Sequence, residues 1–198
     1  RVKKFSDNFP ILLSNRLRLR PFRLDECESV TDLINHPEVI DPLMAVRYPY
    51  SIENARAWIN KHSQTYADSG GLNFAIEERK SGQLAGFVGM GGSDTEAGMG
   101  YWYGKKFWGK GFATEAGRKV IAFGFEELEL SRIEASHIST NITSGKVLQK
   151  IGMTFLKRKS YFYKKWDKNC DKDEYSISRE EYKNRKTINP TEYFFDLE

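Results

Sequence analysis

Between Lys105 and Ala116 the chain reads KKFWGKGFATEA: two glycines, Gly109 and Gly111, in an aromatic and basic turn that runs straight into a helical pattern. From Phe112 to about Leu130 the residues Ala113, Ala116, Gly117, Val120, Ile121, Gly124 and Leu128 recur on one stripe. Such small first turns let a helix sit close to a sheet. The N-terminus of a helix has N–H groups without intrahelical partners and the positive end of the dipole. Glycine lets that backbone adopt positive φ and approach a guest without a Cβ in the way. With Lys106 and Lys110 adding charge, the turn predicts an anion cradle, and a pyrophosphate is its natural guest.

The remaining chain supplies the sheet. Leu17 and Leu19 alternate with arginines in RLRLRPF, Arg16 to Phe22, a half-buried strand that stops at Pro21. A helix is expected to start near Asp25, capped by it with Glu28 three residues on, and to carry Val30, Leu33 and Ile34 inward. A second begins at Ser51 and places Ala55, Trp58, Ile59, His62 and Tyr66 on one face. LNFAIEER and QLAGFVGMGG read as two strands joined by KSGQ, AGMGYWYG as the next, and RIEASHIST as another. TSGKVLQKIG is a short helix ending at Gly152, and TFLKRKSYFYKK with DEYSISRE a closing hairpin. The glycines from Gly86 to Gly92 have no helix after them and read as strand glycines or a bulge. The order β-α-α-β-β-β-α-β-α-β-β makes an α/β chain with a mixed sheet. The stretch from Tyr182 onward has no clear period and receives no element.

At 198 residues, 39% of them apolar, one globular domain accounts for the chain. Its apolar runs are short and interrupted by charge, so no membrane span and a cytoplasmic location are expected. Cys27 and Cys170 have no paired spacing and read as reduced thiols. His36, His62 and His137 lack metal-ligand spacing, so no metal is expected. The net charge of +4 comes from 31 basic and 27 acidic residues interleaved along the chain, a solvated surface and not a nucleic-acid footprint. The exception is Leu156 to Lys172, where cations mix with Tyr161, Phe162, Tyr163 and Trp166; RNA or ribosome contact and a charged, aggregation-resistant hairpin both stay open.

Two common phosphate loops fail on the glycine turn. G-x-x-x-x-G-K-[ST] is absent, and G-x-G-x-x-G would need glycine at Thr114. A third fits. Lys106, Gly109 and Gly111 stand in register with [QR]-x-x-G-x-[GA], the acyl-CoA loop of the GNAT (GCN5-related N-acetyltransferase) superfamily, which this chain resembles. GYWYGKKFWGKGFATEA is similar to the RimJ/RimL branch, where W-G-[KRQ]-G-x-[AG]-T-E-A recurs, and RLRLRPF, YPYSIENARAWI and RIEASHISTNITSGKVLQKIGMTF resemble its other segments. The resemblance runs from about Ser14 to Tyr182, so residues 14–182 form the expected domain, 1–13 an N-terminal extension and 183–198 a tail.

The resemblance implies a single domain with a mixed, mostly antiparallel sheet whose fourth and fifth strands splay apart, flanked by helices. It implies acetyl-CoA as cosubstrate, no metal, and direct attack of an amine on the thioester. The acceptor would be a protein or peptide N-terminal α-amine; a small amine such as a polyamine or aminoglycoside, or acyl-CoA binding without turnover, are the alternatives. The pyrophosphate would rest on N–H groups from about Lys106 to Ala113, including Gly109, Lys110, Gly111 and Phe112. The pantetheine arm would lie beside Gly100 to Tyr103, contacting Tyr101, Trp102 and Tyr103, with an N–H there holding the thioester oxygen. Asn141 resembles the residue that bonds the arm and Ser144 the one near the sulfur, although Ser144 also fits a helix N-cap. Leu148 stands where other members carry a tyrosine acid, and Met99 where relatives of this branch carry glutamate. Glu96 and His137, with Glu134, are the remaining candidates for a base. A monomer and a homodimer are equally open.

Overall fold

The computed structural model describes residues 8–193; residues 1–7 of the expected extension and 194–198 of the expected tail lie outside the described residues. Eight strands form one sheet: β1 (Leu12–Leu13), β2 (Leu17–Arg20), β3 (Leu72–Glu78), β4 (Leu84–Gly92), β5 (Glu96–Tyr103), β6 (Arg132–Ile138), β7 (Thr154–Tyr163) and β8 (Lys168–Ser178), in the spatial order β1-β2-β3-β4-β5-β6-β8-β7. The helices are α1 (Cys27–Ile34), α2 (Pro37–Ile40), α3 (Ile52–Ser69), α4 (Phe112–Glu126), α5 (Ile142–Lys150) and α6 (Arg179–Ile188). The two-residue edge strand β1 precedes the seven strands expected from periodicity, so the expected fourth and fifth are β5 and β6.

Every neighbouring pair is antiparallel except β5 and β6. Those two run parallel and pair only from Glu96↔Arg132 to Met99↔Ala135. Beyond that point β5 stays with β4 as far as Tyr103↔Gly86, and β6 stays with β8 as far as Ile138↔Lys172. The sheet therefore opens into a wedge, and among the described residues one edge of β5 from Gly100 to Tyr103 has no strand partner.

Helix α4 lies on one face of the sheet, and its small stripe has the expected cause. A Cβ at Gly124 would come within 2.9 Å of Ile133 Cδ1 on β6 and 3.2 Å of Met90 Sδ on β4. The glycines of β4 serve close strand packing, most tightly at Gly86, where a Cβ would meet the Trp102 carbonyl oxygen at 2.2 Å. On the opposite face α3, capped by Ser51, whose hydroxyl accepts from the Asn54 N–H, presents Trp58 to Phe87 at a ring separation of 5.2 Å.

Three local expectations need correction. Asp25 does not cap α1: the side chain that turns back is Glu26, which accepts from the Arg23 N–H at 2.8 Å, and the helix proper begins at Cys27 after a turn of 3-10 helix. Helix α4 ends at Glu126, short of Leu130, although Leu128 and Leu130 remain buried in the loop that follows. Helix α6 starts at Arg179, inside the segment expected to be a strand, and runs to Ile188 through the stretch from Tyr182 expected to have no element. Its cap is explicit: the Ser178 hydroxyl accepts from the Glu181 N–H and the Glu181 carboxylate from the Ser178 N–H. That S-x-x-E box was present in the sequence and masked by the strand pattern running into it.

His62 packs as the periodicity suggests, 4.4 Å from the Trp58 ring and 5.4 Å from Phe22, with neither ring nitrogen hydrogen-bonded. Burial pushes its pKa down to about 4. The folded state thus favours neutral imidazole, whereas the unfolded chain takes up a proton near pH 6.5. The contribution to stability is whole above that pH and is lost as pH falls towards 4, by about 3 kcal/mol in all. We expect denaturant unfolding of His62→Phe to lack this acid limb relative to the parent; parallel pH profiles for the two proteins would contradict the assignment.

Candidate active site

The turn expected to hold an anion has the backbone it needs. Gly109 and Gly111 lie at φ 73° and 79°, the left-handed region that glycine enters without strain. Gly111 is the N-cap of α4 and offers no side chain. The first bond of the helix runs from the Glu115 N–H to the Gly111 carbonyl, so the N–H groups of Phe112, Ala113 and Thr114 have no partner within the helix. A Cβ on Gly109 would meet nothing within 4 Å, which leaves open space over the turn. A ligand diphosphate fits such a cradle.

The turn is clamped from the segment just before β2. Arg16 donates to the Lys110 carbonyl at 2.8 Å, pairs with Glu115 at 2.7 Å, and stands 4.9 Å over the Phe112 ring. Glu115 also accepts from the Ser14 hydroxyl and the Arg16 N–H, each at 2.8 Å, which removes its charge from competition with a guest. Phe107 is buried beneath the turn. Lys106 and Lys110 stand over its ring, each 5.1 Å from the centroid, with Lys106 also donating to Gln83 at 3.0 Å. Both ammonium groups remain exposed. Trp108 donates to the Tyr103 carbonyl at 2.8 Å and ties the turn to the end of β5.

The wedge between β5 and β6 opens into a cavity of about 440 Å³ lined by Gly100, Tyr101, Trp102, Ser136, His137, Asn141 and Ser144, and closed on the α1 and α3 side by apolar side chains. Asn141 and not Ser144 caps α5: its carbonyl oxygen accepts from the Ser144 N–H at 3.3 Å. Ser144 sits inside the first turn, and its hydroxyl is 2.9 Å from the Tyr101 hydroxyl. Burial, opposed by the Ser144 bond, pushes the Tyr101 pKa up to about 12, so its phenol keeps its proton. Burial also holds the Tyr103 phenol well above its ordinary value; its oxygen has no hydrogen-bond partner, and its ring lies 6.0 Å from that of Tyr101. Trp102 points to the other face, among Phe87 and Trp58.

Of the three residues expected to be catalytic, Ser144 and His137 meet at this cavity and Glu96 does not. Glu96 is exposed at the other end of β5, four residues before Gly100, or roughly 13 Å along the strand. Glu134 is also turned away, paired with Arg132 at 2.8 Å. His137 Nδ1 lies 2.8 Å from the Ile138 carbonyl and therefore donates, leaving Nε2 as an acceptor. That Nε2 is buried without a partner beneath Gly145, where a Cβ would approach it to 2.8 Å.

The hairpin of β7 and β8 is part of this site's frame. At its tip Lys165 donates to the carbonyls of Ile40, Asp41 and Leu43 at 2.6, 3.0 and 2.8 Å, and Arg47 donates to the Lys164 carbonyl at 2.9 Å. The loop after α2, one wall of the cavity, is thereby fastened to a segment more than a hundred residues away. Along the strands Arg158 pairs with Asp173 at 2.6 Å, and Lys157 and Lys172 pair with Glu174 at 3.5 and 3.1 Å. These cations are matched by the hairpin's own carboxylates, which favours the charged-hairpin reading over a nucleic-acid stripe. Both cysteines are free thiols. Among the described residues no cluster of three metal-ligating side chains occurs, and no helix is long and apolar enough to cross a membrane.

A family model described as Acetyltransferase (GNAT) domain matches residues 16–154. The uncharacterized N-acetyltransferase YoaA of Bacillus subtilis (strain 168) is 32% identical over 147 residues, 73% of this chain and 82% of that protein. Among solved structures, a GNAT-family acetyltransferase from Bacillus anthracis superimposes with a TM-score of 0.77 at 23% identity, covering 86% of this chain and 99% of that one. RimL, described as a ribosomal alpha-N-protein acetyltransferase in complex with coenzyme A, has the same fold with a TM-score of 0.74 at 16% identity, covering 85% of this chain and 98% of that one.

Proposed function

This chain belongs to the GNAT acetyltransferase family, and we propose that the amine it acetylates is the α-amine of a protein or peptide. It is an acetyl-CoA-dependent acyltransferase. Acetyl-CoA supplies the acetyl group as a thioester. The observation that carries the reading is the parting of β5 and β6 after Met99 and Ala135, which puts an unpaired strand edge, a Tyr101–Ser144 hydroxyl pair and an apolar cavity in one wedge.

In this reading the N–H groups at the start of α4 hold the diphosphate, with Lys106 and Lys110 neutralising its outer charge. The free edge from Gly100 to Tyr103 takes the amides of the pantetheine arm in the manner of an added strand. Asn141 spends its carbonyl oxygen on the cap of α5 and keeps its NH₂ group to donate to the same arm. Tyr101 stays protonated and its hydroxyl reaches both the Ser144 carbonyl at 3.3 Å and Ser144 Oγ at 2.9 Å; when it donates to Oγ, the Ser144 proton is free to point towards the position of the sulfur. A thiol of pKa about 8.5 makes little demand on that proton donor. On the amine side, no carboxylate lines the cavity among the described residues, and His137 Nε2 is shielded by Gly145. An α-amine, with a pKa of about 7.7 to 8.0, is partly neutral at physiological pH and needs little help; a lysine amine, near 10.4, needs much more. The likeness in fold to RimL agrees with this choice.

The test is acetylation of peptides with a free N-terminus set against the same peptides blocked there. Turnover of the free forms alone is expected, and exclusive turnover of polyamines or aminoglycosides would contradict the proposal. Within that assay Ser144→Ala should lower kcat by about 10-fold, at the low end for a proton donor because the thiol leaves readily, while the KM for acetyl-CoA moves by less than about 3-fold. A loss of folding stability in proportion to the loss of rate would instead mark Ser144 as structural.

A further inference from the structure

On the reading just given, the acceptor amine lies against the walls that α1, α3 and the loop after α2 give this cavity, and those walls have a definite chemistry. Ile34, Leu43, Met44, Val46, Trp58 and Phe87 form them, and no aspartate, glutamate, lysine or arginine is among the lining residues. Two cations close to this wall are engaged elsewhere: Lys165 with three carbonyls of the Ile40–Leu43 segment, Arg47 with the Lys164 carbonyl. An ammonium brought here would lose hydration and find no counter-charge, so the cavity favours the neutral form of the amine. At a given pH near neutrality, the neutral fraction of an α-amine exceeds that of a lysine-like amine by about 400-fold. A volume of about 440 Å³ falls within the range that holds small ligands and leaves room for a substituent beside the amine.

We propose that this cavity selects a neutral primary amine carried beside a bulky apolar or aromatic group, which in a peptide means an α-amine on a large apolar first residue, and that it rejects polycationic amines. The specificity resides in the wall formed by Leu43, Met44 and Val46, a loop that Lys165 fastens in place. The missing base follows from the same chemistry, because a site that admits the amine uncharged has no proton to remove before attack.

The experiment is a kcat/KM series on the full chain with saturating acetyl-CoA. The acceptors are peptides identical except for a first residue of Phe, Leu, Ser, Asp or Lys, together with phenethylamine and spermidine. Phe and Leu peptides should exceed the Ser peptide by about 10-fold and the Asp peptide by about 100-fold, and phenethylamine should exceed spermidine. Met44→Glu should lower the Phe-peptide value by about 10-fold and narrow its lead over spermidine, with Met44→Gln as a neutral control of similar shape. Should Met44→Glu fail to fold, the unaltered protein's series decides alone. Equal rates for Phe, Ser and Asp peptides would overturn the selection while leaving α-amine acetylation intact. Turnover of phenethylamine but of no peptide would refute the peptide reading and uphold the apolar selection, whereas a lead for spermidine over phenethylamine would overturn it.

Discussion

Replacing Gly111 with glutamate is expected to weaken acetyl-CoA binding by at least about 100-fold. The residue is the N-cap of α4 at φ 79°, so a side chain there carries a strain of about 1 kcal/mol wherever it points. The larger effect is electrostatic. A carboxylate placed at the N-terminus of α4 takes up the N–H groups and the dipole that the diphosphate would use, and repels the diphosphate itself. Two like charges about 4 Å apart at a protein surface cost about 4 kcal/mol. A Cβ on Gly111 would sit 3.4 Å from the Arg16 guanidinium, so the glutamate also competes with Glu115 for the clamp that holds the turn. Gly111→Ala adds the strain without the charge and should lose no more than about 10-fold, which separates the two causes. Titration calorimetry on both variants, with thermal melts to confirm folding, provides the measurement. Undiminished affinity in Gly111→Glu would remove the diphosphate from this turn.

The second large effect falls on stability. Arg20 on β2 is buried between two carboxylates: it bonds Glu26 at 2.6 and 3.0 Å and Glu77 at 2.7 Å, while Arg18 and Arg23 reach the same acids from the rim at 3.1 and 3.3 Å. Burial alone would raise the Glu26 pKa, but the bonds from Arg20 and from the Arg23 backbone outweigh it and hold the carboxyl below its usual range. Arg20→Met leaves two buried carboxylates facing each other and should cost about 3 to 5 kcal/mol, read as a shift in the urea midpoint. Adding Glu26→Gln and Glu77→Gln should recover most of that loss, because it comes from two buried carboxylates left with only the rim partners Arg23 and Arg18. A shift worth less than about 1 kcal/mol in Arg20→Met would show that water reaches the cluster.

Much of this architecture is legible in the sequence because it depends on short-range chemistry. The glycine turn, the small stripe of α4, the Ser51 cap and the alternating strands each follow from neighbours within a few residues, and each appears where expected. Other features depend on partners far away in the chain. Nothing local to Glu96 says that it belongs to the paired end of β5, and nothing local to Gly100 says that its strand loses a partner there; both follow from where β6 stops pairing. Lys165 reads as one more cation in a basic hairpin until the fold brings it against the carbonyls of Ile40, Asp41 and Leu43. The cap of α5 was a matter of three residues: Asn141 and Ser144 both suit the role, and the chain turns at the first, leaving the serine hydroxyl for Tyr101. The Ser178 and Glu181 box, by contrast, is a local signal that a strong strand pattern running into it conceals.

The apolar cavity, the hydroxyl pair and the open helix end describe one path for an acyl carrier and its acceptor. The most direct test is a crystal structure of the protein with coenzyme A and a peptide acceptor. The diphosphate is expected on the N–H groups between Gly109 and Thr114, the pantetheine along Gly100 to Tyr103, the thiol beside Ser144 and the peptide N-terminus facing the Leu43–Val46 wall. A diphosphate seated instead in the hollow between Arg23, Asp32 and Lys106, with the wedge between β5 and β6 unfilled, would contradict that placement.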